Sequence, residues 1–301
     1  MPAKPLQIKT LFQSGVARLR QAGIPDPELE VSLLLAESLG LHRTELLLQS
    51  GKNIEEGQHR RFERHLSRRM NREPLAHILG SKEFWSREFI VSGDVLIPRP
   101  ETEFLLEKAL AVIKPLHPDA AKPLNILDLG TGSGVIAVVL ALELPAARIT
   151  AVDSSYPALQ VARHNATKHG VADRIDFVLS NWFEGLAARP GFDAVLANPP
   201  YVAREVLALK PGTEAGALQP EVRHFEPVQA LDGGAGGTRE IRRIAAGLAR
   251  VLRPQGWFFM EIGADQEEEV RRIFGGTESY DSLVVFADYA GRPRVLQARR
   301  L

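Results

Sequence analysis

The chain has 301 residues, a length that predicts about two domains. Its 37 Lys and Arg residues balance its 37 Asp and Glu residues, which excludes a chain-wide basic field for non-specific nucleic-acid binding and leaves only a local basic patch open. Hydrophobic residues make up 45% and charged residues 25%, as in soluble globular proteins. The absence of cysteine excludes disulfides, thiolate metal sites and cysteine nucleophiles.

No segment has the pattern of a membrane anchor or a secretion signal. The longest apolar run, Val135 to Leu142, is far shorter than the roughly 20 residues that a membrane span needs. The N-terminus, MPAKPLQIKT, contains neither an apolar core nor a small-residue cleavage site. We therefore expect a cytoplasmic protein that does not act at a membrane.

Apolar residues recur at helical spacing through residues 6–72. The pair Asp26-Pro27 is predicted to begin the second helix, as N-cap and first helical residue, and Gly40 to end it. Thr44 is predicted to cap a short third helix, and a fourth is predicted over about Glu55–Met70. These elements predict a small all-α domain over residues 1–75.

The predicted fourth helix carries a series of arginines. They are Arg60, Arg61, Arg64, Arg68, Arg69 and Arg72. A solvated helix face explains such a series, and so does a docking surface for an RNA-associated partner. The sequence alone leaves both interpretations open.

Residues 82–92 are rich in aromatic and β-branched side chains and predict a hairpin, within a linker over residues 76–100. From residue 101 to 301, strands alternate with helices. The predicted strands are Asn125–Leu129, Arg148–Asp153, Arg174–Leu179, Phe192–Ala197, Gly256–Ile262, Asp281–Ala287 and Arg294–Ala298. The predicted helices are Thr102–Ile113, Ser133–Glu143, Tyr156–His169, Thr238–Leu252 and Gln266–Phe274. This alternation predicts an α/β fold with a doubly wound, mostly parallel sheet, and the short turn between the last two strands predicts antiparallel pairing at one edge.

A glycine-rich turn, Asp128 to Gly134 (DLGTGSG), follows the first strand of this sheet. Glycines let the backbone turn sharply and approach a ligand closely, and ligands bind at the carboxyl ends of such strands. The spacing is not GxGxxG, and no GKS or GKT follows. Both observations argue against a dehydrogenase and an ATPase, and a mere tight turn is the alternative.

Asp153 ends the second strand of the sheet. An acidic residue there can accept hydrogen bonds from both ribose hydroxyls of a nucleoside. It can also cap the helix that begins near Tyr156, and the two roles are compatible.

The sequence Asn198-Pro199-Pro200-Tyr201 directly follows the fourth strand. Two prolines fix the backbone and remove two N–H donors, which leaves backbone carbonyls available as acceptors. The Asn198 side chain adds another acceptor, and Tyr201 adds a flat apolar wall. Such a group can hold a planar –NH2 by both of its protons, although a structural proline turn is the alternative.

These motifs together resemble class I S-adenosylmethionine-dependent methyltransferases that methylate planar nitrogens. Further segments resemble the protein-(glutamine-N5) methyltransferases of class I peptide chain release factors, and the resemblance covers nearly the whole chain. These segments are REPLAHILG (72–80), FWSREFIVSGDVLIPRPETE (84–103), Asn181-Trp182-Phe183, ALDGG (230–234), Glu261-Ile262-Gly263 and AGRPRVLQAR (290–299). The segment Pro100-Glu101-Thr102-Glu103 favours this family over its sister family, which methylates a glutamine of a large-subunit ribosomal protein.

The resemblance implies a helical substrate-recognition domain followed in the chain by a seven-stranded Rossmann-like methyltransferase sheet. It implies S-adenosyl-L-methionine as methyl donor, S-adenosyl-L-homocysteine as product and class I release factors as partners, with no metal and no nucleic-acid substrate; we expect a monomer. The implied cofactor contacts are Gly130, Thr131, Gly132, Ser133, Gly134, Asp153, Trp182 and Asn198. The implied catalytic and substrate contacts are Asn198, Pro199, Pro200 and Tyr201. For Trp182 the resemblance implies packing on the adenine, where the residue type alone equally suggests a core aromatic.

An amide nitrogen is a poor nucleophile because its lone pair is delocalised into the carbonyl group. The expected role of the protein is therefore orientation and local electrostatics. The same acceptors suit an exocyclic amino group of adenine or guanine, presented by base flipping or on a single strand. A ribosomal-protein glutamine is a second alternative, and a non-enzymatic binding module built on the helical domain is a third.

Overall fold

A computed structural model describes residues 7–116, 123–210, 216–276 and 279–301. The chain divides into two compact units. The helical unit contains the chain up to Gly80 together with Pro220–Phe225, and the sheet unit contains Ser81–Gln219 and Glu226–Leu301. No helix within the described ranges is long and apolar enough to cross a bilayer.

Both units contain helices, which are numbered in chain order. They are α1 (Ile8–Gln21), α2 (Pro27–Leu39), α3 (Arg43–Leu48), α4 (Glu56–Met70), α5 (Leu75–Leu79), α6 (Pro100–Leu116), α7 (Val135–Glu143), α8 (Tyr156–Lys168), α9 (Arg204–Ala208), α10 (Pro220–Phe225), α11 (Arg239–Leu248) and α12 (Glu267–Gly275). Short 3₁₀ turns occur at Ala172–Arg174, Val228–Ala230 and Ala235–Gly237.

The strands form a two-stranded hairpin and a seven-stranded sheet. They are β1 (Ser81–Phe84), β2 (Arg87–Ile90), β3 (Asn125–Leu129), β4 (Arg148–Asp153), β5 (Ile175–Leu179), β6 (Phe192–Ala197), β7 (Leu252–Glu261), β8 (Tyr280–Ala287) and β9 (Pro293–Arg300). The hairpin pairs β1 with β2, as the aromatic segment predicted.

The helical unit is held together by apolar faces of α1, α2 and α4. Leu19, Leu34 and Leu66 are fully buried there, and Phe62 is almost so. All four lie in the range 6–72, where apolar residues recur at helical spacing. Gly15 lets α1 approach α2 and α4 closely, because an added Cβ would lie 3.1 Å from both Val31 of α2 and the Phe62 ring of α4.

Of the two predicted helix caps, Asp26 occupies the N-cap position of α2 without capping through its side chain, and Thr44 lies inside α3. Asp26 lies in the left-handed region with φ 48° and makes no side-chain capping hydrogen bond, whereas a capping residue has extended backbone. Pro27 is nevertheless the first helical residue, as predicted. The third helix begins one residue before Thr44, and the Glu45 carboxylate accepts a hydrogen bond from the backbone N–H of the true N-cap, His42, at 2.6 Å.

The arginines of α4 do not form one uniform face. Arg69 is buried, and its guanidinium is paired with Glu30 of α2 and with Glu221 of α10. Arg72, just after α4, also contacts Glu221, at 3.3 Å. These contacts explain why α10, which the sequence did not predict, belongs to the helical unit. Only the exposed members of the series, such as Arg61 and Arg64, fit either a solvated face or a docking surface.

The seven-stranded sheet has the order β5-β4-β3-β6-β7-β9-β8. Strands β3 to β7 pair in parallel, while β9 is antiparallel to both of its neighbours, β7 and β8. The predicted α/β class, parallel sheet and antiparallel pairing at one edge are therefore confirmed. The strand β7 begins at Leu252, inside the predicted helix 238–252, because Pro254 disfavours helical backbone in the residue before it.

Both faces of the sheet are covered by helices. One apolar cluster packs α6, α7 and α8 on one face, and a second packs α11 and α12 on the other. Ile126 joins the first cluster and Leu127 joins the second, because successive side chains of a strand point to opposite faces. All side chains of α7 from Val135 to Ala141 are buried, which explains why its sequence is apolar on every side.

The parallel pairing brings four chain segments to one edge of the sheet. The glycine turn follows β3, Asp153 ends β4, Asn198 follows β6 and Glu261 ends β7. Carboxyl ends of parallel strands are where ligands bind in open α/β sheets. The fold therefore assembles motifs that are far apart in the sequence.

Candidate functional site

A cavity of about 460 Å³ opens at this edge, within the range of small-molecule pockets. Most of the predicted site residues line it. They are Gly130, Thr131, Gly132, Ser133, Asp153, Trp182, Asn198 and Pro200. All of them belong to the sheet unit, so one compact part of the chain builds the whole cavity.

The glycine turn is fixed by its own backbone hydrogen bonds. The N–H groups of Gly130 and Thr131 both donate to the Val152 carbonyl at 2.9 Å, and this ties the turn to β4. Gly130 and Gly132 have φ values of 75° and 54°, which residues with a Cβ rarely adopt. An added Cβ on Gly130 would lie 3.6 Å from the Trp182 ring and 3.9 Å from the Asn198 carbonyl oxygen, so three predicted segments meet here.

Asp153 links the turn to the start of α8. Its Oδ2 accepts from Gly132 N at 2.8 Å, and its Oδ1 accepts from Ser155 N at 2.9 Å. Burial raises the pKa of Asp153, while these backbone hydrogen bonds act in the opposite direction. The helix cap is Ser155, whose side chain accepts from Ala158 N. The backbone N–H of Ser154 also acts on this carboxylate, and of its about four acceptor positions at least one remains for a ligand.

Trp182 is anchored beside the glycine turn. Its indole Nε1 donates to Glu240 Oε2 at 2.8 Å, and Arg239 and Arg243 pair with the same carboxylate. Burial acts to raise the pKa of Glu240, but the hydrogen bonds from Arg239 and Trp182 prevail and lower it. A charged Glu240 thus holds one edge of the indole, while Trp182 itself lines the cavity.

Asn198 lies at the cavity with a defined amide orientation. Its Nδ2 donates to Thr102 Oγ1 at 3.0 Å, and Thr102 Oγ1 in turn donates to Glu261 Oε2 at 2.7 Å. The Tyr201 hydroxyl donates to Glu261 Oε1 at 3.1 Å. Glu261 is fully buried, and burial raises its pKa to about 6 against the lowering effect of Thr102 and Tyr201.

Three predicted site residues are not among those that line the cavity. Gly134 caps α7 and packs against Ala162, Pro199 is buried, and Tyr201 points its hydroxyl to Glu261. Conversely, Arg99, Thr102 and Glu240 line the cavity and were not predicted as site residues. Arg99 and Thr102 lie in the sequence segment IPRPETE, but no residue pattern assigned a role to either.

Two family models match the chain. The PrmC N-terminal domain matches residues 10–80, and the methyltransferase small domain matches residues 108–213. The first range falls within the helical unit, and the second contains the glycine turn, Asp153 and Asn198.

Curated relatives match over nearly their full length. The release factor glutamine methyltransferase of Koribacter versatilis is 36% identical over 98% of this chain and 99% of its own. That of Nitratidesulfovibrio vulgaris is 37% identical, covering 97% of this chain and 95% of its own. That of Caulobacter vibrioides is 39% identical, covering 87% of this chain and 86% of its own.

Among solved structures, the hMettl16 catalytic domain in complex with a MAT2A 3′UTR hairpin has a TM-score of 0.50. It covers 85% of this chain and 84% of its own, at 15% sequence identity. At this identity the similarity concerns the fold.

Proposed function

Because this chain belongs to the family of release factor glutamine methyltransferases, we propose that it methylates the side-chain nitrogen of the glutamine in the Gly-Gly-Gln segment of a class I peptide chain release factor. The methyl donor of the family is S-adenosyl-L-methionine. One observation carries the proposal: Asn198 Nδ2 is engaged by Thr102, which leaves the amide oxygen of Asn198 to accept from a substrate –NH2.

The cavity fits the adenosine part of the donor. Asp153 retains acceptor capacity for ribose hydroxyls, and Trp182 offers a ring face for the adenine. The side-chain-free positions Gly130 and Gly132 leave room for the ligand at the turn. When bound, the sulfonium supplies an electrophilic methyl group.

The contribution of the chain to the reaction is orientation of the nucleophile. The Asn198 side-chain oxygen and the Pro199 backbone carbonyl each accept one proton of the glutamine –NH2. Pro200 and Tyr201 complete a rigid turn, in which Tyr201 is held by Glu261. Fixing the amide plane directs the nitrogen lone pair toward the methyl group. It also means that the entropy cost of aligning the two reactants is met when the substrate binds. No strong general base is needed, because the methylated nitrogen can lose its proton after transfer.

The helical unit supplies the additional contacts that a folded release factor requires in this proposal. A single glutamine side chain offers little surface to offset the entropy of association. The helical unit exposes Leu47 and Leu48, at 82% and 88%, and the arginines Arg61 and Arg64. Replacing either pair by serine or alanine should lower kcat/KM for the intact factor and leave a short Gly-Gly-Gln peptide unaffected. Unchanged kcat/KM in both double variants would remove the helical unit from recognition.

The competing substrates present the same kind of –NH2 group to these acceptors. A ribosomal-protein glutamine has the same amide, and an exocyclic amino group of a nucleic acid has the same –NH2 geometry. The balance of 37 basic and 37 acidic residues does not favour a polyanionic substrate. A monomer in the cytoplasm suffices for the proposed reaction, because one chain supplies every residue assigned to the cavity.

A labelling experiment separates these substrates. The protein is incubated with S-adenosylmethionine carrying a labelled methyl group and with purified release factors, ribosomal proteins, tRNA or DNA. Label should enter the release factor and should be lost when the glutamine of its Gly-Gly-Gln segment is replaced by alanine. Label in ribosomal protein or nucleic acid instead would overturn the proposal.

The matched enzyme variant is Asn198→Ala. Loss of the acceptor leaves a buried –NH2 unpaired and should weaken transition-state binding by about 1–3 kcal/mol before any loss of orientation. Binding of S-adenosylhomocysteine checks that the cavity of the variant survives. Near-normal turnover by Asn198→Ala would contradict the assigned role.

A further inference from the structure

A chain of hydrogen bonds connects the cavity to a buried carboxylate. It runs from Asn198 Nδ2 to Thr102 Oγ1 at 3.0 Å, and from Thr102 Oγ1 to Glu261 Oε2 at 2.7 Å. Thr102 is 2% exposed and Glu261 is fully buried, so bulk water does not compete for these bonds. The participants come from α6, β7 and the segment after β6, which the sheet register brings together, since Ala197 pairs with Met260.

While Glu261 is ionised, the donors and acceptors of these hydrogen bonds can be assigned in only one way. A carboxylate only accepts hydrogen bonds, so the single proton of the Thr102 hydroxyl must go to Glu261. The lone pairs of Thr102 are then all that it can offer to Asn198. They accept from the –NH2 side of the Asn198 amide, and its oxygen is turned away from Thr102.

We propose that Glu261 and Thr102 are positioning residues that set the orientation of the Asn198 amide, so that its oxygen accepts from the substrate –NH2. The inference rests on the proposed function of Asn198. A flipped amide would present –NH2 to –NH2, and the substrate nitrogen would have no acceptor there. Neither positioning residue needs to touch the substrate.

The same carboxylate also supports the other end of the turn. Tyr201 donates to Glu261 Oε1, while Thr102 donates to Oε2, so each oxygen holds one side of the Asn198–Tyr201 segment. The groups that act on the charge of Glu261 are Thr102, Tyr201, the cationic Arg294 and the anionic Glu101. This arrangement couples the geometry of the acceptor turn to the charge of one side chain.

Protonation of Glu261 should remove the constraint on which group donates and which accepts in these hydrogen bonds. Burial raises its pKa to about 6, and a protonated carboxyl can donate to Thr102. The Thr102 proton is then free to turn toward Asn198, which permits the flipped amide. Activity should therefore fall as the pH drops through about 6. Burial raises the pKa of Asp128 to about 7, so Asp128 titrates in a similar pH range. Comparison of variants therefore decides which group causes the fall in activity.

The test measures methylation of a release factor by the wild-type protein, by Thr102→Val and by Thr102→Ser. Valine keeps the shape but removes the hydroxyl, and serine keeps the hydroxyl. We expect Thr102→Val to lower kcat by about 10-fold to 100-fold, as for other small losses of alignment, with S-adenosylhomocysteine affinity within about twofold of wild type. Thr102→Ser should recover most of kcat.

The pH profile supplies the second measurement. The fall in kcat near pH 6 should persist in Thr102→Ser and be much smaller in Thr102→Val, because no hydroxyl then joins Asn198 to Glu261 and only Tyr201 still connects Glu261 to the turn. Equal kcat in wild type and Thr102→Val, or the same acid fall in all three proteins, would overturn the inference. If Thr102→Val does not fold, the reduction of the acid fall is tested with Thr102→Ala, and an undiminished fall overturns the inference. Failure of the proposed function has a different signature, because the wild type itself would then leave the release factor unlabelled.

Discussion

Asp153 and Gly132, which both line the cavity, are joined by a hydrogen bond in which Asp153 Oδ2 accepts from Gly132 N at 2.8 Å. The acid that ends β4 therefore has two tasks. It holds the glycine turn in place and keeps acceptor positions for a ligand. A change at Asp153 should alter both the preformed turn and the binding of the nucleoside.

Replacing Asp153 by alanine should weaken S-adenosylmethionine binding. Hydrogen bonds to a charged group contribute about 1.5–3 kcal/mol each, so loss of even one ribose contact corresponds to an affinity loss of about 10-fold or more. Calorimetric titration measures the effect directly. Asp176→Ala is the matched control, because Asp176 is an exposed carboxylate on the neighbouring strand β5. Unchanged affinity in Asp153→Ala would refute the ribose assignment.

Trp182 offers a spectroscopic reporter for the adenine position. It lines the cavity, whereas the other two tryptophans of the chain, Trp85 and Trp257, are not among the lining residues. Ligand binding should therefore change the fluorescence of wild type and of Trp257→Phe, but not that of Trp182→Phe. Stacking on an aromatic ring contributes about 1–3 kcal/mol per base, so Trp182→Leu should also lose affinity by that amount. A full fluorescence response in Trp182→Phe would place the adenine elsewhere.

Two glycines of the same turn should respond differently to alanine. Gly134 has φ 82°, and an added Cβ would lie 2.9 Å from the Ala162 Cβ, whereas the nearest atom to an added Cβ on Gly132 is the Gly130 carbonyl oxygen at 4.0 Å. Left-handed backbone costs about 1–2 kcal/mol, and overpacking adds about 1–3 kcal/mol. We expect Gly134→Ala to destabilise the fold by about 2–5 kcal/mol, and Gly132→Ala by only about 1–2 kcal/mol, together with weaker ligand binding.

Urea unfolding and ligand titration of both variants check this difference. Gly57→Ala in α4 is the control, because nothing lies within 4 Å of its added Cβ and its φ is not positive. That variant should be neutral or more stable by about 0.5–1 kcal/mol. Equal stability of Gly134→Ala and Gly132→Ala would show that the close approach to Ala162 adds no cost at Gly134.

The sequence predicts the fold well wherever the pattern of apolar residues determines an element. Strands β3, β4 and β6 and the helix α7 follow from apolar runs between turns, and the meeting of Gly130 with Asn198 follows because parallel strands share one carboxyl edge. Helix caps are less predictable. Asp26 is a residue type that favours a cap, but its backbone is left-handed and its side chain makes no capping hydrogen bond.

The hydrogen-bonded support of the site lies beyond such patterns. Thr102 and Glu261 are 159 positions apart, and Thr102 and Asn198 are 96 apart. Each residue type is ordinary in its local segment, and only the register of β6 against β7 brings them together. The role of α10 is hidden in the same way, because it depends on Glu221 meeting Arg69, 152 positions away.

Asp128 should give the fold a measurable pH dependence. It is fully buried at the end of β3, and burial raises its pKa to about 7, although Thr131 donates to its Oδ2 at 2.7 Å. In the unfolded chain an aspartate has a pKa of about 3.9. Between these values the folded protein holds a proton that the unfolded chain has lost. The stabilisation is therefore complete at low pH and decreases as the pH rises through about 7.

The free energy of unfolding should thus fall between about pH 4 and 7, with a slope of up to about 1.4 kcal/mol per pH unit from this group. Glu261, with its pKa raised by burial to about 6, adds a slope of the same sign. Asp128→Asn should remove the contribution of Asp128 and be more stable relative to wild type at pH 8 than at pH 5. Urea unfolding at both pH values measures this, with Asp173→Asn as an exposed-carboxylate control. If Asp128→Asn and wild type lose the same stability between pH 5 and 8, the buried carboxyl at the end of β3 is not the group that titrates.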